Sequence, residues 1–180
     1  MPNYLLKYTP FLLFLGKFFL TYILLTAIYQ YYLSNYDPAK LEVDPITESV
    51  AYQSKNLLLV FNVDAAAEAH PTQPNIKLHY NGKYVARIIE GCNAISIMIL
   101  FVAFIIAFSG KLKTTALYIL FGCIIIHILN ITRIALLSSA MFHFPEQEHF
   151  LHGVIFPLFI YSVVFILWVI WVNKFSKYAS

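Results

Sequence analysis

The chain has 180 residues and a net charge of +3, and 60% of its residues are hydrophobic whereas only 12% are charged. A soluble domain of this length usually carries about 25% charged residues, so the composition excludes an ordinary soluble globular protein. Acidic residues are confined to segments 36–90 and 143–149, and most of the remainder forms long apolar runs. The basic residues near these runs report membrane orientation, and no nucleic-acid partner is expected.

Four membrane-spanning helices are predicted. Each apolar run is long enough to cross about 30 Å of hydrocarbon, where lipid offers no partner for an open backbone. The predicted spans cover approximately residues 11–33, 92–109, 114–142 and 152–171. The expected fold is an all-α polytopic membrane protein that forms a single integral-membrane domain over residues 1–180 and binds the lipid bilayer.

The short loops at the span ends predict the orientation. The segments GKLK (110–113) and NKFSK (173–177) carry two lysines each, whereas HFPEQEHFL, at the opposite end, has no lysine or arginine. The positive-inside rule places both termini and GKLK in the cytoplasm, so segment 34–91 and HFPEQEHFL face outward. The expected location is the inner (cytoplasmic) membrane of the cell.

The outer segment, residues 34–91, contains an amphipathic helix and a β-hairpin in this prediction. Asp44 is a candidate N-cap, and Pro45 suits the first helical position. The predicted apolar face of this helix consists of Ile46, Val50, Leu57 and Phe61. The stretch AAAEAHPTQPN contains two prolines and predicts a loop. The dipeptide Asn81-Gly82 between two alternating runs is typical of a type I′ turn, and predicts a hairpin that leads directly into Cys92.

Three polar side chains are expected at one depth near the outer face. Cys92 begins the second span and His152 begins the fourth. The third span starts at Thr114, and about 20 residues of helix, enough to cross the membrane, bring it to Arg133. Taken singly, such a cysteine is usually a small core residue, and such an arginine can extend to the headgroups. Their common depth favours a functional site, because charged residues within spans are rare and generally functional.

These residue types together fit acyl transfer. A cysteine thiolate can attack a carbonyl carbon, a histidine can move the proton required by the leaving amine, and an arginine can stabilise the oxyanion. On the third span, Cys123, His127 and Asn130 share a helical face with Arg133. Asn130 is expected to orient Arg133, whereas a polar packing seam is the simpler interpretation of Cys123 and His127.

The order of GCNAIS, NITRI and HGVIF on successive spans, preceded by the hairpin NGKYVARIIE, resembles the exosortase/archaeosortase family, and most closely its short XrtF-type exosortase branch. The resemblance implies a membrane cysteine transpeptidase or peptidase with an outward-facing site. Its partner would be an exported protein with a C-terminal sorting signal, which consists of a short motif, a membrane span and a basic tail. No cofactor or metal is implied.

The resemblance also implies roles for individual residues. Cys92 would be the nucleophile, Arg133 the transition-state stabiliser and His152 the proton carrier, with Asn93 and Asn130 in support. The chain resembles only the catalytic core of longer relatives, which leaves a place for a small membrane partner. The triplet Cys-Asn-Ala also stands where Cys-Ser-Gly is commoner in the family.

Three alternative functions remain open from the residues alone. A non-catalytic membrane assembly or scaffold protein would need no reactive thiol. A membrane thiol-oxidoreductase would need a cysteine pair, but Cys123 lies about 15 Å of helix away from Arg133. A metal site could form in HFPEQEHFLH, although this segment has no HExxH pattern. Its candidate ligands are His143, Glu146, Glu148, His149 and His152.

Overall fold

The computed structural model describes residues 4–108 and 110–176. Its helices are α1 (Tyr4–Leu33), α2 (Pro45–Val60), α3 (Ile95–Ala107), α4 (Leu112–His143), the single turn α5 (Glu148–Phe150) and α6 (Phe156–Lys174). Its strands are β1 (Ala65–Ala69), β2 (Ile76–Tyr80) and β3 (Lys83–Ile88). The predicted end of the second span, Ser109, and the final lysine of the C-terminal basic segment, Lys177, lie outside the described residues.

Three apolar helical stretches of the described chain are long enough to cross a membrane: Tyr8–Lys40, Leu112–His143 and Leu151–Lys174. They correspond to three of the four predicted spans. The predicted span 92–109 is not confirmed, because α3 has 13 residues and is about 20 Å long. About 20 residues would be needed for 30 Å of hydrocarbon, so α3 is a short helix packed among longer ones.

The predicted β-hairpin is confirmed. Strands β2 and β3 are antiparallel, and Tyr80 pairs with Lys83 across the turn. Asn81 and Gly82 have φ angles of 48° and 74°, and a type I′ turn requires positive φ at both positions. The sequence Asn-Gly therefore sets the register of the hairpin that leads into the cysteine.

The prediction of an otherwise all-α chain is corrected by a third strand. AAAEA, predicted to be a loop, forms β1, and the sheet has the antiparallel order β1-β2-β3. Ala65 pairs with Tyr80, and Ala69 pairs with Ile76. Alanine is depleted in strands, so pairing with β2 rather than local preference determines this strand.

Helix α2 begins where predicted. The Asp44 carboxylate accepts hydrogen bonds from the backbone N–H groups of Ile46 (3.1 Å) and Thr47 (3.0 Å), which caps the helix. Its apolar face was predicted incorrectly in part, because Phe61 lies beyond the helix and is 70% exposed. The buried side chains of α2 are Thr47, Val50, Ala51, Ser54 and Leu58. These mostly small side chains let α2 pack closely against α4.

Helix α4 joins two apolar cores. The bundle core consists of Ala94, Phe101, Ile105, Ile126, Val164 and Trp171. The sheet-side core consists of Val50, Ala51, Leu58, Ala65, Ile76, Leu78, Tyr80, Ile88, Ile134 and Ala135. Ile126 and Ile134 lie about two turns apart, so the buried Asn130 stands at the junction of the cores. With 32 residues, α4 is about 48 Å long, which exceeds the thickness of the hydrocarbon layer. It is therefore long enough to pack against both the bundle core and the sheet-side core.

The GKLK turn, the described end of α6 and the first half of α1 lie together at one end of the bundle. Gly110, in the GKLK turn, forms a backbone bridge with Ser176 after α6. Phe14, in the first half of α1, packs against Phe108 with 4.6 Å between ring centroids. The sheet packs on the other end of α4. This grouping agrees with the predicted one, and the side of the membrane that each end faces stays a prediction.

Candidate active site

A cavity of about 390 Å³ lies between β3, the second half of α4 and the π-helical turn Leu151–Ile155. Cys92, Arg133 and His152 all line it. The other lining residues are Val85, Ala86, Arg87, Ile88, Ile89, Gly91, Ile134, Leu137 and Met141. The fold therefore brings the three predicted catalytic side chains from separate segments to one cavity.

Cys92 does not begin α3, contrary to the prediction. It ends a 3₁₀ turn, Glu90–Cys92, and α3 starts at Ile95. Ala94 adopts a left-handed conformation (φ 64°), which a right-handed helix cannot include. The side-chain oxygen of Asn93 instead accepts the Ile95 N–H group at 2.9 Å. The half-buried thiol is thus carried by a turn between the sheet and the short helix.

Asn130 connects the cysteine turn to Arg133. Its Nδ2 atom donates a 2.7 Å hydrogen bond to the backbone carbonyl of Cys92. Its Oδ1 atom accepts a longer contact, 3.4 Å, from Arg133 Nη1, so the expected contact between these two side chains is present. Because the Asn130 side chain is fully buried, its amide is shielded from solvent, which strengthens these bonds.

Arg133 retains most of its hydrogen-bonding capacity. Its Nε atom is buried and has no hydrogen-bond partner within the described part of the chain. No described carboxylate lies within salt-bridge distance of its guanidinium. A partly buried cation with unpaired donors is costly unless another group supplies acceptors. The guanidinium is therefore suited to bind an anionic group in the cavity.

His152 is exposed and lies within the π-helical turn. Helical structure begins before it, at Glu148, so His152 is not the first residue of the last helical segment as predicted. A π-helical turn is rare and is frequently found at functional sites. His152 also lines a second cavity of about 530 Å³, together with Pro145, Glu146, His149 and Gly153. Its imidazole can therefore face the cavity and exchange protons with water.

The remaining polar residues singled out in the sequence lie elsewhere. Cys123 packs against the bundle core and Cys92 against the sheet-side core, and both are free thiols. His127 hydrogen-bonds Gln53 at 2.7 Å, which joins α4 to α2 and agrees with the packing interpretation. Over residues 4–108 and 110–176, no group of three or more His, Cys, Asp and Glu residues is placed to hold a metal ion. The side chain of Glu148 lies outside the described structure.

Three residues near the site were not predicted to belong to it. Arg87 lines the cavity from β3, and its position in a strand just before the cysteine was the available signal. Tyr29 and Thr47 contact Asn93, from which they are separated by 64 and 46 residues. No local pattern predicts such distant contacts.

The fold and the cavity define an integral-membrane protein in which a thiol, a guanidinium and an imidazole line one cavity between the helices and a small sheet. The family model for transmembrane exosortase (Exosortase EpsH) matches residues 7–170, and the chain belongs to this family. Membership implies a multi-pass membrane transpeptidase that processes sorting signals, and exosortases are generally cysteine transpeptidases. Neither a curated protein nor a solved structure matches the chain.

Proposed function

We propose that the chain is a cysteine peptidase and transpeptidase that cuts the C-terminal sorting signal of exported proteins at the outer face of the cytoplasmic membrane. The supporting observation is the single cavity that Cys92, Arg133 and His152 share in a chain of the exosortase family. The order of its motifs and the hairpin before the cysteine favour the short XrtF-type branch. The basic ends then lie in the cytoplasm, and the cavity faces outward.

Each of the three side chains has one role in the proposed reaction. His152 takes the proton of the Cys92 thiol, and the thiolate sulfur bonds to the carbonyl carbon of the scissile peptide. The carbonyl oxygen becomes an oxyanion, to which Arg133 donates hydrogen bonds. The C–N bond then breaks as His152 passes its proton to the leaving amine, which leaves a thioester on Cys92.

The second half of the reaction releases the cargo from the enzyme. Water or an acceptor amine attacks the thioester carbon and loses a proton to His152. The C–S bond breaks, and the cysteine sulfur regains a proton from His152. Hydrolysis and transfer thus differ only in the nucleophile, and His152, which is exposed and lines the cavity, can accept a proton from either.

The surroundings of the cavity support this chemistry. Leu137 and Met141 contribute apolar walls, and electrostatic interactions are stronger where water is excluded. The hydrogen bond from Asn130 to the Cys92 carbonyl holds the cysteine turn against α4, the helix that carries Arg133. The nucleophile and the guanidinium are therefore positioned before the substrate binds. Donors to an oxyanion are most effective when they are preorganised in this way.

The two cysteines offer a matched test. The cargo is an exported protein that ends in a short motif, an apolar span and a basic tail, and its shortening is followed on a gel. We expect Cys92→Ala to abolish processing while the protein accumulates normally in the membrane. Cys123→Ala should process cargo normally, because Cys123 does not line the cavity.

Two outcomes would contradict the proposal. Normal processing by Cys92→Ala would remove the nucleophile and favour a scaffold role. Equal loss in both variants would favour thiol redox chemistry, in which the two cysteines act together.

A further inference from the structure

Asn93, next to the proposed nucleophile, binds three separate parts of the chain. It is only 2% exposed, and its amide nitrogen donates to the Tyr29 hydroxyl (2.7 Å) and to Thr47 Oγ1 (3.1 Å). Its amide oxygen accepts the backbone N–H of Ile95 at 2.9 Å. Tyr29 belongs to α1, Thr47 to α2, and Ile95 is the first residue of α3.

The segment Cys92-Asn93 is therefore held by two separate sets of hydrogen bonds. The Cys92 carbonyl oxygen accepts the hydrogen bond from Asn130 on α4. The Asn93 side chain is held by α1 and α2 through Tyr29 and Thr47. Two such attachments on one short turn restrict the rotation that would move the thiol relative to Arg133.

Burial makes these contacts hard to replace with water. Tyr29 is 7% exposed and Thr47 is fully buried. An amide donor that loses its partner in such an environment stays unsatisfied, and the turn can regain a partner only by moving. A shift of about 1 Å at a reacting group can lower a rate by about 100-fold, so small movements of this turn matter.

We propose that Tyr29 and Thr47 are positioning residues for the reaction and act on Cys92 through Asn93. The inference rests on the proposed role of Cys92 as the nucleophile. The first span and the amphipathic helix would then contribute to catalysis without lining the cavity. Substrate would not contact either residue, so turnover rather than binding depends on them.

Conservative variants test this inference on the full-length, membrane-inserted protein. Tyr29→Phe removes only the hydroxyl, and Thr47→Val removes the hydroxyl but keeps the shape. Each should lower kcat for cargo processing by about tenfold and leave KM unchanged. Thr47→Ser restores the acceptor oxygen and should restore kcat. The matched control is Tyr22→Phe, which loses the same hydroxyl about two turns earlier on α1.

A second measurement separates positioning from general support of the fold. Iodoacetamide alkylation of Cys92, in a Cys123→Ala background, requires an accessible thiol but no alignment with Arg133. We expect alkylation rates in Tyr29→Phe and Thr47→Val to stay within about twofold of the parent while kcat falls. If alkylation and KM change along with kcat, the whole site has been disturbed and the two residues are structural.

The double variant Tyr29→Phe/Thr47→Val gives the decisive comparison. Wild-type kcat per folded molecule in this protein, while Cys92→Ala is inactive, would overturn the positioning role and leave the proposed function intact. Normal processing by Cys92→Ala would instead refute the proposed function itself. The same assay therefore distinguishes the two failures.

Discussion

Arg133, in a membrane helix, could either extend to lipid headgroups or bind an anionic group in the cavity. An arginine that only extends to lipid headgroups would point away from neighbouring helices. Here the side chain lines the cavity beside Cys92, contacts Asn130 at 3.4 Å, and keeps a buried Nε atom without a partner in the described structure. These contacts favour binding of a developing negative charge over interaction with lipid.

The substitution Arg133→Lys separates these roles. Lysine also reaches headgroups, but it lacks the planar set of donors that can hold an oxyanion and Asn130 together. Losing a preorganised oxyanion donor typically lowers the rate about 10² to 10³-fold. We therefore expect Arg133→Lys to insert normally, to keep Cys92 reactive toward a small thiol reagent, and to process cargo at that reduced rate.

The amount of inserted protein is the control for this substitution. Wild-type processing by Arg133→Lys would leave only the lipid-facing role. Loss of the protein from the membrane would show that Arg133 holds the bundle together, and would contradict the expected normal insertion.

At the scale of the element, the short helix α3 depends on close contact with α4. A methyl group added at Gly122 would clash with the ring of Phe101, which is fully buried. The absence of a side chain at Gly122 is what lets α3 approach α4. Because the cysteine turn leads directly into α3, this contact also determines where the turn lies.

Gly122→Ala should therefore destabilise the protein. Overpacking a well-packed core typically costs about 1–3 kcal/mol, and thermal unfolding in detergent should show a lower Tm. Gly16→Ala is the matched control, because nothing lies within 4 Å of the added methyl group there. Its Tm should be equal or slightly higher, since alanine favours the helix by up to about 1 kcal/mol.

A compensating substitution tests whether the clash with Phe101 causes the loss of stability. Phe101→Leu makes room for the new methyl group, so Phe101→Leu/Gly122→Ala should be more stable than the sum of the single effects predicts. Strictly additive effects would show that the contact between these two residues is not the source of the loss.

At the scale of the whole molecule, the prediction concerns orientation. The lysine-rich GKLK turn and the end of α6 are joined by the bridge between Gly110 and Ser176. Single cysteines at Lys83 and Glu146, in a protein that lacks Cys92 and Cys123, should react with an impermeant reagent in intact cells. A cysteine at Lys111 should react only after the cells are opened.

The sites for this labelling follow from the structure. Asn75 lies in the same outer segment but is only 3% exposed, so a cysteine there would react poorly in either orientation. Lys83, Glu146 and Lys111 are all exposed, which makes their reactivities comparable. If only Lys111→Cys were labelled in intact cells, the predicted orientation would be wrong, and the cavity would face the cytoplasm.

The sequence alone predicted those features that depend only on residues close together in the chain. Four spans were predicted from long apolar runs, and three of them are helices long enough to cross a membrane, because lipid forces such runs to satisfy their own backbone hydrogen bonds. The Asp44 cap and the Asn81-Gly82 turn were also predictable, since each depends on the conformational preference of one or two residues. The motif order likewise indicated the family, which the match over residues 7–170 confirms.

Other features were decided only by tertiary structure. Strand β1 forms from alanines because β2 offers it a partner. Helix α3 starts at Ile95 because the left-handed Ala94 interrupts the helix before it, and the Asn93 side chain accepts the Ile95 N–H group. The polar contacts of Asn93 with Tyr29 and Thr47 depend on how α1 and α2 pack against the turn before α3, and no periodicity in the sequence predicts them. The apolar pattern determines which segments can cross the membrane, whereas the position of the Cys92 thiol is determined by long-range hydrogen bonds in a buried, low-dielectric environment.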